Sequence, residues 1–242
     1  MSIEFTDRHV VVTGGTGALG AAVVQTLVDA GATCYVPAHK MPDPARFPLV
    51  RHERVRVVAG VDLADEAAVG SFYEKLPALW ASIHVAGGFA MAPIAQATLQ
   101  QFREMFDTNA VTCFLCCREA VKKIRASGAS GGGGASGGGG RIVNVGSKPS
   151  IIPSAGLAAY AASKAAVHSL TLTLAEELAD ERIWVNAVVP SIMDTPANRA
   201  AMPKADFAKW PKVEEVAATI AFLASPQNSV TRGALVGVYG RS

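Results

Sequence analysis

Tyr160 and Lys164 stand four residues apart in Tyr160-Ala-Ala-Ser-Lys164, and Ser147 stands thirteen residues before the tyrosine. On a helix, a spacing of four puts two side chains on one face. An ammonium beside a phenol favours the phenolate, so Lys164 is expected to lower the Tyr160 pKa. A phenol tuned in this way exchanges a proton with a substrate oxygen near neutral pH. Ser147 closely follows the apolar run Ile142-Val-Asn-Val145, which places it at the mouth of a strand. Its hydroxyl can hydrogen-bond the same substrate oxygen. The chemistry these three groups suit is interconversion of a carbonyl and an alcohol. That reaction needs a hydride carrier beside the tyrosine.

The start of the chain offers a place for one. His9-Val-Val-Val-Thr13 reads as a buried strand, Ala21-Ala-Val-Val-Gln-Thr-Leu-Val28 reads as a helix, and a glycine-rich turn joins them. The spacing is Gly14-x-x-Gly17-x-x-Gly20, and the turn encloses Thr16, Ala18 and Leu19. Glycines let the backbone turn tightly and approach a pyrophosphate, which the helix N-terminus then holds. A glycine pattern alone is a weak signal; the strand before it and the helix after it supply the context that the motif requires. The competing reading is a plain turn between core elements. The next strand, Thr33-Cys-Tyr-Val-Pro37, ends at Ala38-His39-Lys40. An acidic residue there would bind the ribose 2′-hydroxyl of NAD. None is present, and His39 and Lys40 can meet a 2′-phosphate. NADP(H) is therefore the favoured cofactor, with NAD(H) possible.

These residues need a scaffold that brings distant segments together. Strand-like runs fall near 9–13, 33–37, 54–58, 80–85, 141–146, 183–189 and 234–239, and helical runs near 18–30, 65–76, 98–125, 157–180 and 213–224. Such alternation predicts an α/β fold, a single Rossmann-type doubly wound domain over 1–242. Its seven-stranded, mostly parallel sheet has helices on both faces. In such sheets the ligand lies over the carboxyl ends of the strands. Gly14, Ala86, Ser147 and Pro190 all follow strands, so they are expected to converge there.

With these motifs in place, the chain resembles the short-chain dehydrogenase/reductase family along essentially its whole length. The usual glycine motif is Thr-Gly-x-x-x-Gly-x-Gly; here Ala18 takes the middle glycine position and Gly17 stands one place earlier. The resemblance implies a catalytic tetrad of Asn109, Ser147, Tyr160 and Lys164, with Asn109 ordering a water beside the lysine. It implies that Asp62 and Leu63 bind the adenine, and that Ala86, Gly87 and Gly88 line the cofactor, although His84 and Val85 replace two usual asparagines. It implies that Tyr160, Lys164, Pro190, Ile192 and Thr195 hold the nicotinamide end, with Ser191 where glycine is usual. A narrower likeness, to dihydropteridine reductases, is carried by Gly14–Gly20, Val85–Phe89, Tyr160–His168, Asp194–Arg199 and Met202–Trp210. Those enzymes lack the serine and carry an acidic residue after the second strand; this chain has Ser147 and no such acid. A carbonyl or alcohol is therefore the expected small-molecule substrate, a quinonoid dihydropteridine the alternative. A non-catalytic NAD(P)-sensing regulator is the alternative of another class, against which the intact tetrad argues.

Composition narrows the partners. A hydrophobic content of 50% in 242 residues fits one well-filled domain, and a net charge of +2 argues for neither nucleic acid nor an anionic membrane surface. No run has the length to span a bilayer and the N-terminus has no signal-peptide core, so a cytoplasmic location is expected. Cys113, Cys116 and Cys117 share one apolar helix with no histidine at zinc spacing, and together with Cys34 read as small core or interface residues; no metal is expected. Surplus apolar surface at Cys113–Cys117 and Leu170–Leu178 predicts a homodimer or homotetramer through the two long helices. His84 and His168 read as structural histidines, and Asp194 with Arg199 as a local pair. Phe89, Met91, Ile152, Met202, Phe207 and Trp210 are candidates for a substrate pocket. The segment 126–140 repeats Ala-Ser-Gly-Gly-Gly-Gly and reads as a flexible insertion with no chemistry of its own.

Overall fold

The structure, a computed structural model, describes residues 3–128 and 139–242. Seven strands, β1 (His9–Thr13), β2 (Thr33–Ala38), β3 (Val55–Ala59), β4 (Ala81–His84), β5 (Gly140–Val145), β6 (Ile183–Pro190) and β7 (Leu235–Val238), form one sheet. Their order is β3-β2-β1-β4-β5-β6-β7 and every pair is parallel. The helices are α1 (Ala18–Asp29), α2 (Glu66–Glu74), α3 (Leu99–Phe106), α4 (Thr112–Ser127), α5 (Ala158–Glu177), α6 (Pro196–Ala201) and α7 (Val213–Ala224).

Strand residues alternate between two cores, as the period of two in a strand requires. Val10 and Val12 of β1 join Val24, Leu27 and Ile220 under α1 and α7. Val11 joins Val69, Leu115, Ile142 and Val167 under α2, α4 and α5. Both faces are covered, so the central strands are largely apolar on both sides, with Ser82, His84 and Asn144 among the buried polar exceptions.

The strand and long-helix expectations are met within three residues, with one informative exception. The predicted helix 98–125 is broken by a π-turn at Asp107–Val111. Its start is fixed by a capping box in which Thr98 and Gln101 satisfy each other's backbone N–H groups. The π-turn carries Asn109, which is 1% exposed. Such turns recur inside helices at functional sites. The short helix α6, held at its start by Thr195 accepting from the Asn198 N–H, also lay outside the sequence reading. Most of the expected flexible insertion lies outside the described residues. Its flanks, Ser127–Gly128 and Gly139–Gly140, sit at the amino end of β5, the end opposite Ser147.

Candidate active site

The turn after β1 is built around contacts that only glycine permits. Gly14 has φ +64, and a Cβ there would lie 2.7 Å from the Ala86 nitrogen. A Cβ on Gly20 would overlap the Gly14 carbonyl oxygen. The turn therefore presses against the chain leaving β4, and α1, with Gly17 at its N-cap, has no side-chain cap and no acidic residue in its first turn. Uncapped N–H groups at the positive end of a twelve-residue helix are suited to a phosphate. Thr16 and Ala18 are exposed beside them, and Leu19 is buried in the core. Ala38 closes β2, with His39 and Lys40 exposed just beyond it. Asp62 is exposed and accepts the Ala64 N–H at 2.9 Å, holding the turn in which Leu63 is partly buried. The residues present fit a dinucleotide laid across these turns.

Asn109 ties three elements together. Its Oδ1 accepts the Gly88 N–H at 2.9 Å, and its Nδ2 donates to the Gly88 carbonyl and to Ser163 Oγ, both at 3.1 Å. A Cβ on Gly87 would meet Asn109 Oδ1 at 2.6 Å and Lys164 Nζ at 3.1 Å. The Asn109 amide holds the Ala86–Gly88 turn against α5.

Lys164 is fully enclosed, and its Nζ donates to the Val145 carbonyl at 2.9 Å. Burial lowers its pKa to about 8. Tyr160 lies one turn earlier on α5, with its hydroxyl near that of Ser147. Here one sequence expectation is corrected. Burial raises the Tyr160 pKa, and the nearby Ser147 hydroxyl opposes that shift. Lys164 points at Val145 instead of holding the phenolate, so the tyrosine is a protonated phenol at neutral pH. Ser147 is held by its own turn, in which Ser150 bonds the Ser147 carbonyl through both N–H and hydroxyl.

At the carboxyl end of β6, Pro190 is buried and Ile192 is 43% exposed. Ser191 Oγ donates to the Tyr239 carbonyl at 2.9 Å. Thr195 spends its acceptor on the α6 N-terminus and keeps its hydroxyl proton for another partner. Asp194 and Arg199 form the expected pair, with contacts of 2.6 and 2.7 Å. His168 is buried behind Gly146, where any Cβ would collide with its ring. Of the pocket candidates, Phe89 meets Tyr160 edge-on at 5.0 Å and is well exposed, as are Met91 and Ile152. Trp210 is buried and packs on Phe207, so it serves the core. Cys113, Cys116 and Cys117 face inward as core residues, and within the two segments read as surplus apolar surface the exposed apolar residues are Phe114 and Leu172, with Val111 beside them.

The glycine turn, Gly87, Ser147 and Tyr160 meet over the carboxyl ends of β1, β4 and β5, where a bound nicotinamide can face the tyrosine. The chain is similar to known dehydrogenases over nearly its whole length. A family model described as short chain dehydrogenase matches residues 8–206. Cis-4-hydroxycyclohexanecarboxylate dehydrogenase of Sinomonas cyclohexanicum is 31% identical, over 99% of this chain and 98% of its own. Galactitol 2-dehydrogenase of Rhizobium johnstonii is 33% identical, over 96% and 93% respectively. The solved structure of an ElxO variant with NADPH bound superposes with a TM-score of 0.84 over 96% of this chain and 97% of that one, at 22% identity. The chain is an NAD(P)-dependent oxidoreductase acting on alcohol or carbonyl groups, and it belongs to the short-chain dehydrogenase/reductase family.

Proposed function

We propose that this enzyme reduces a carbonyl on a small apolar substrate with NADPH, and that Tyr160 is the proton donor. The observation that carries the proposal is the placement of Tyr160, with Ser147 near its hydroxyl, beside an open apolar mouth formed by Phe89, Met91 and Ile152. A phenol whose pKa burial has raised keeps its proton until a substrate oxygen gains negative charge. Ser147 hydrogen-bonds the same oxygen and stabilises that charge as it develops. Val145 takes one of the three N–H donors of Lys164, leaving two for the hydroxyls of the nicotinamide ribose. Asn109 is a positioning residue that holds the turn against which the nicotinamide would rest. Thr195 and Ile192 would bound the nicotinamide on its far side. When bound, the dihydronicotinamide supplies the hydride, and the protein supplies placement and the proton.

Phe89, Met91 and Ile152 leave the mouth beside Tyr160 apolar and exposed. A hydrophobic carbonyl substrate gains most from covering them. His39 and Lys40, exposed just after β2 without an acidic neighbour, favour a 2′-phosphate. Val111, Phe114 and Leu172 support assembly as a homodimer or homotetramer, and four free cysteines suit the cytoplasm. The dihydropteridine and sensor readings are not favoured, since the matched relatives named above are dehydrogenases.

A screen of ketones, quinones and dihydropterins against both cofactors tests the proposal. Oxidation of NADPH by a hydrophobic ketone or quinone is expected. Turnover restricted to dihydropterins, or a tighter fit for NADH than for NADPH in a titration, would contradict it.

A further inference from the structure

The sheet brings together four side chains that the chain order keeps apart. His84 ends β4, Asn144 lies beside it on β5, and Cys113 and Cys117 lie one turn apart on α4. Cys117 Sγ is 3.4 Å from His84 Nδ1, 3.5 Å from Asn144 Oδ1 and 4.0 Å from Cys113 Sγ. The donor atoms of His84, Cys113 and Cys117 all lie within 4.8 Å of one another. Bond lengths to zinc place two sulfurs of a tetrahedral site about 3.8 Å apart, and a sulfur and a nitrogen about 3.5 Å apart. The separations from Cys117 Sγ to its three neighbours are those of a ligand set to within a few tenths of an ångström. His84 Nδ1 and Asn144 Oδ1, now 2.8 Å apart, would open to about 3.4 Å once the proton between them left.

The surroundings are those of a supported site. His84 Nε2 lies 2.8 Å from Ser82 Oγ, which lies 2.8 Å from the Tyr73 hydroxyl. A histidine that ligates through Nδ1 carries its proton on Nε2, and Ser82 is placed to accept it. Asn144 Nδ2 donates to Thr171 Oγ1 at 2.9 Å, leaving Asn144 Oδ1 aimed at Cys117. All four residues are buried. Two thiolates, a neutral imidazole and a neutral amide balance one divalent cation, so the complex can be buried without net charge. Cys116 lies on the same helix but faces Tyr73, and Cys34 belongs to the core on the other face of the sheet.

We propose that His84, Cys113 and Cys117, with Asn144 as the fourth ligand, form a buried site for a soft divalent cation of the zinc class. Such an ion would pin β4 to β5 and α4 directly beneath the turns that carry Ala86 and Ser147. The proposal is independent of the redox reading, because it stands on a different set of residues. The alternative is a core of hydrogen-bonded thiols and imidazole that takes no ion.

The test uses the full chain, reduced, stripped of metal under denaturing conditions and refolded with one equivalent of Co²⁺. The site predicts visible bands of tetrahedral cobalt and thiolate-to-cobalt charge transfer in the near ultraviolet. Both should saturate at one ion per chain, and added Zn²⁺ should bleach them. Cys117→Ser should lose the charge transfer, with Cys113→Ser as the second variant if the first does not fold; Cys116→Ala should keep it. Zinc should raise the melting temperature of the native sequence and not of the ligand variants. Refolded protein that binds NADPH but shows no charge-transfer band would overturn the site. So would bands that survive in both Cys113→Ser and Cys117→Ser.

Discussion

On the α1/α7 face of the sheet, Val10, Val12, Val24, Leu27 and Ile220 meet in an apolar cluster. The α2/α4/α5 face instead carries a hydrogen-bonded run from Tyr73 through Ser82, His84 and Asn144 to Thr171, set among apolar residues. Both faces are equally dry, so the polar run gains nothing over hydrocarbon in stability unless every member is satisfied. Its members do bond one another. The run also leads to the chemistry: Asn144 precedes Val145, whose carbonyl takes Lys164 Nζ, and His84 lies two residues before Ala86. One face holds the sheet, and the other sets the height and angle of the loops that carry the site.

Separate substitutions on the two faces should therefore fail in separate ways. The largest effect on stability is expected from Leu27→Ala. It removes a fully buried side chain from the apolar face and should cost about 2–5 kcal/mol in a urea titration. Turnover of the folded fraction should stay near that of the native sequence. A parallel fall in turnover would show that the two faces are not distinct.

Asn144→Leu cuts the polar run at its centre. It removes the Asn144 partner of both His84 Nδ1 and Thr171 Oγ1, with a cost of about 1–3 kcal/mol for the bonds lost in a buried setting. Turnover should also fall, because β5 no longer presents Val145 and Ser147 at the same height. If stability falls and turnover does not, the run is structural only.

Lys164 gives a pH signature. Burial lowers its pKa from 10.5 to about 8, so between those values the unfolded chain holds a proton that the folded protein has released. Stability contributed by this residue should then rise with pH across that window and be flat below it. Subtracting the unfolding free energies of Lys164→Met from those of the native sequence isolates the slope. A difference that falls with pH would mean that Lys164 is not desolvated as described.

The smallest effect is expected at the glycine tract. Excising Gly128–Ser136 should change stability by less than about 1 kcal/mol, since loop closure depends weakly on length. The flanks lie at the amino end of β5, so turnover should be unaffected. A folded deletion variant with little activity would require a role for the tract in the site.

Much of this was legible from the residues. Short apolar runs rich in β-branched residues marked the strands, and the turn residues after them marked where the site would gather. Tyr160, Lys164 and Ser147 were legible because four-residue helical spacing and a strand end are local facts. The π-turn at Asp107–Val111 was not, because it depends on Asn109 reaching Gly88 and Ser163 from other elements. The direction of the Tyr160 pKa shift was misread for a similar reason. Sequence spacing puts Lys164 on the same helix face, but burial and the Val145 carbonyl decide where its ammonium points. Nor could spacing reveal His84 beside Cys117, since strand pairing of β4 with β5 makes that contact.

The most direct test of the account is single-turnover oxidation of bound NADPH by an accepted ketone, in the native sequence and in Tyr160→Phe. The phenylalanine keeps the ring against Phe89 and removes the proton. Hydride transfer should slow by at least about 100-fold, with NADPH affinity and melting temperature little changed. Transfer at the native rate by a folded, NADPH-saturated Tyr160→Phe protein would contradict the claim that this tyrosine is the acid.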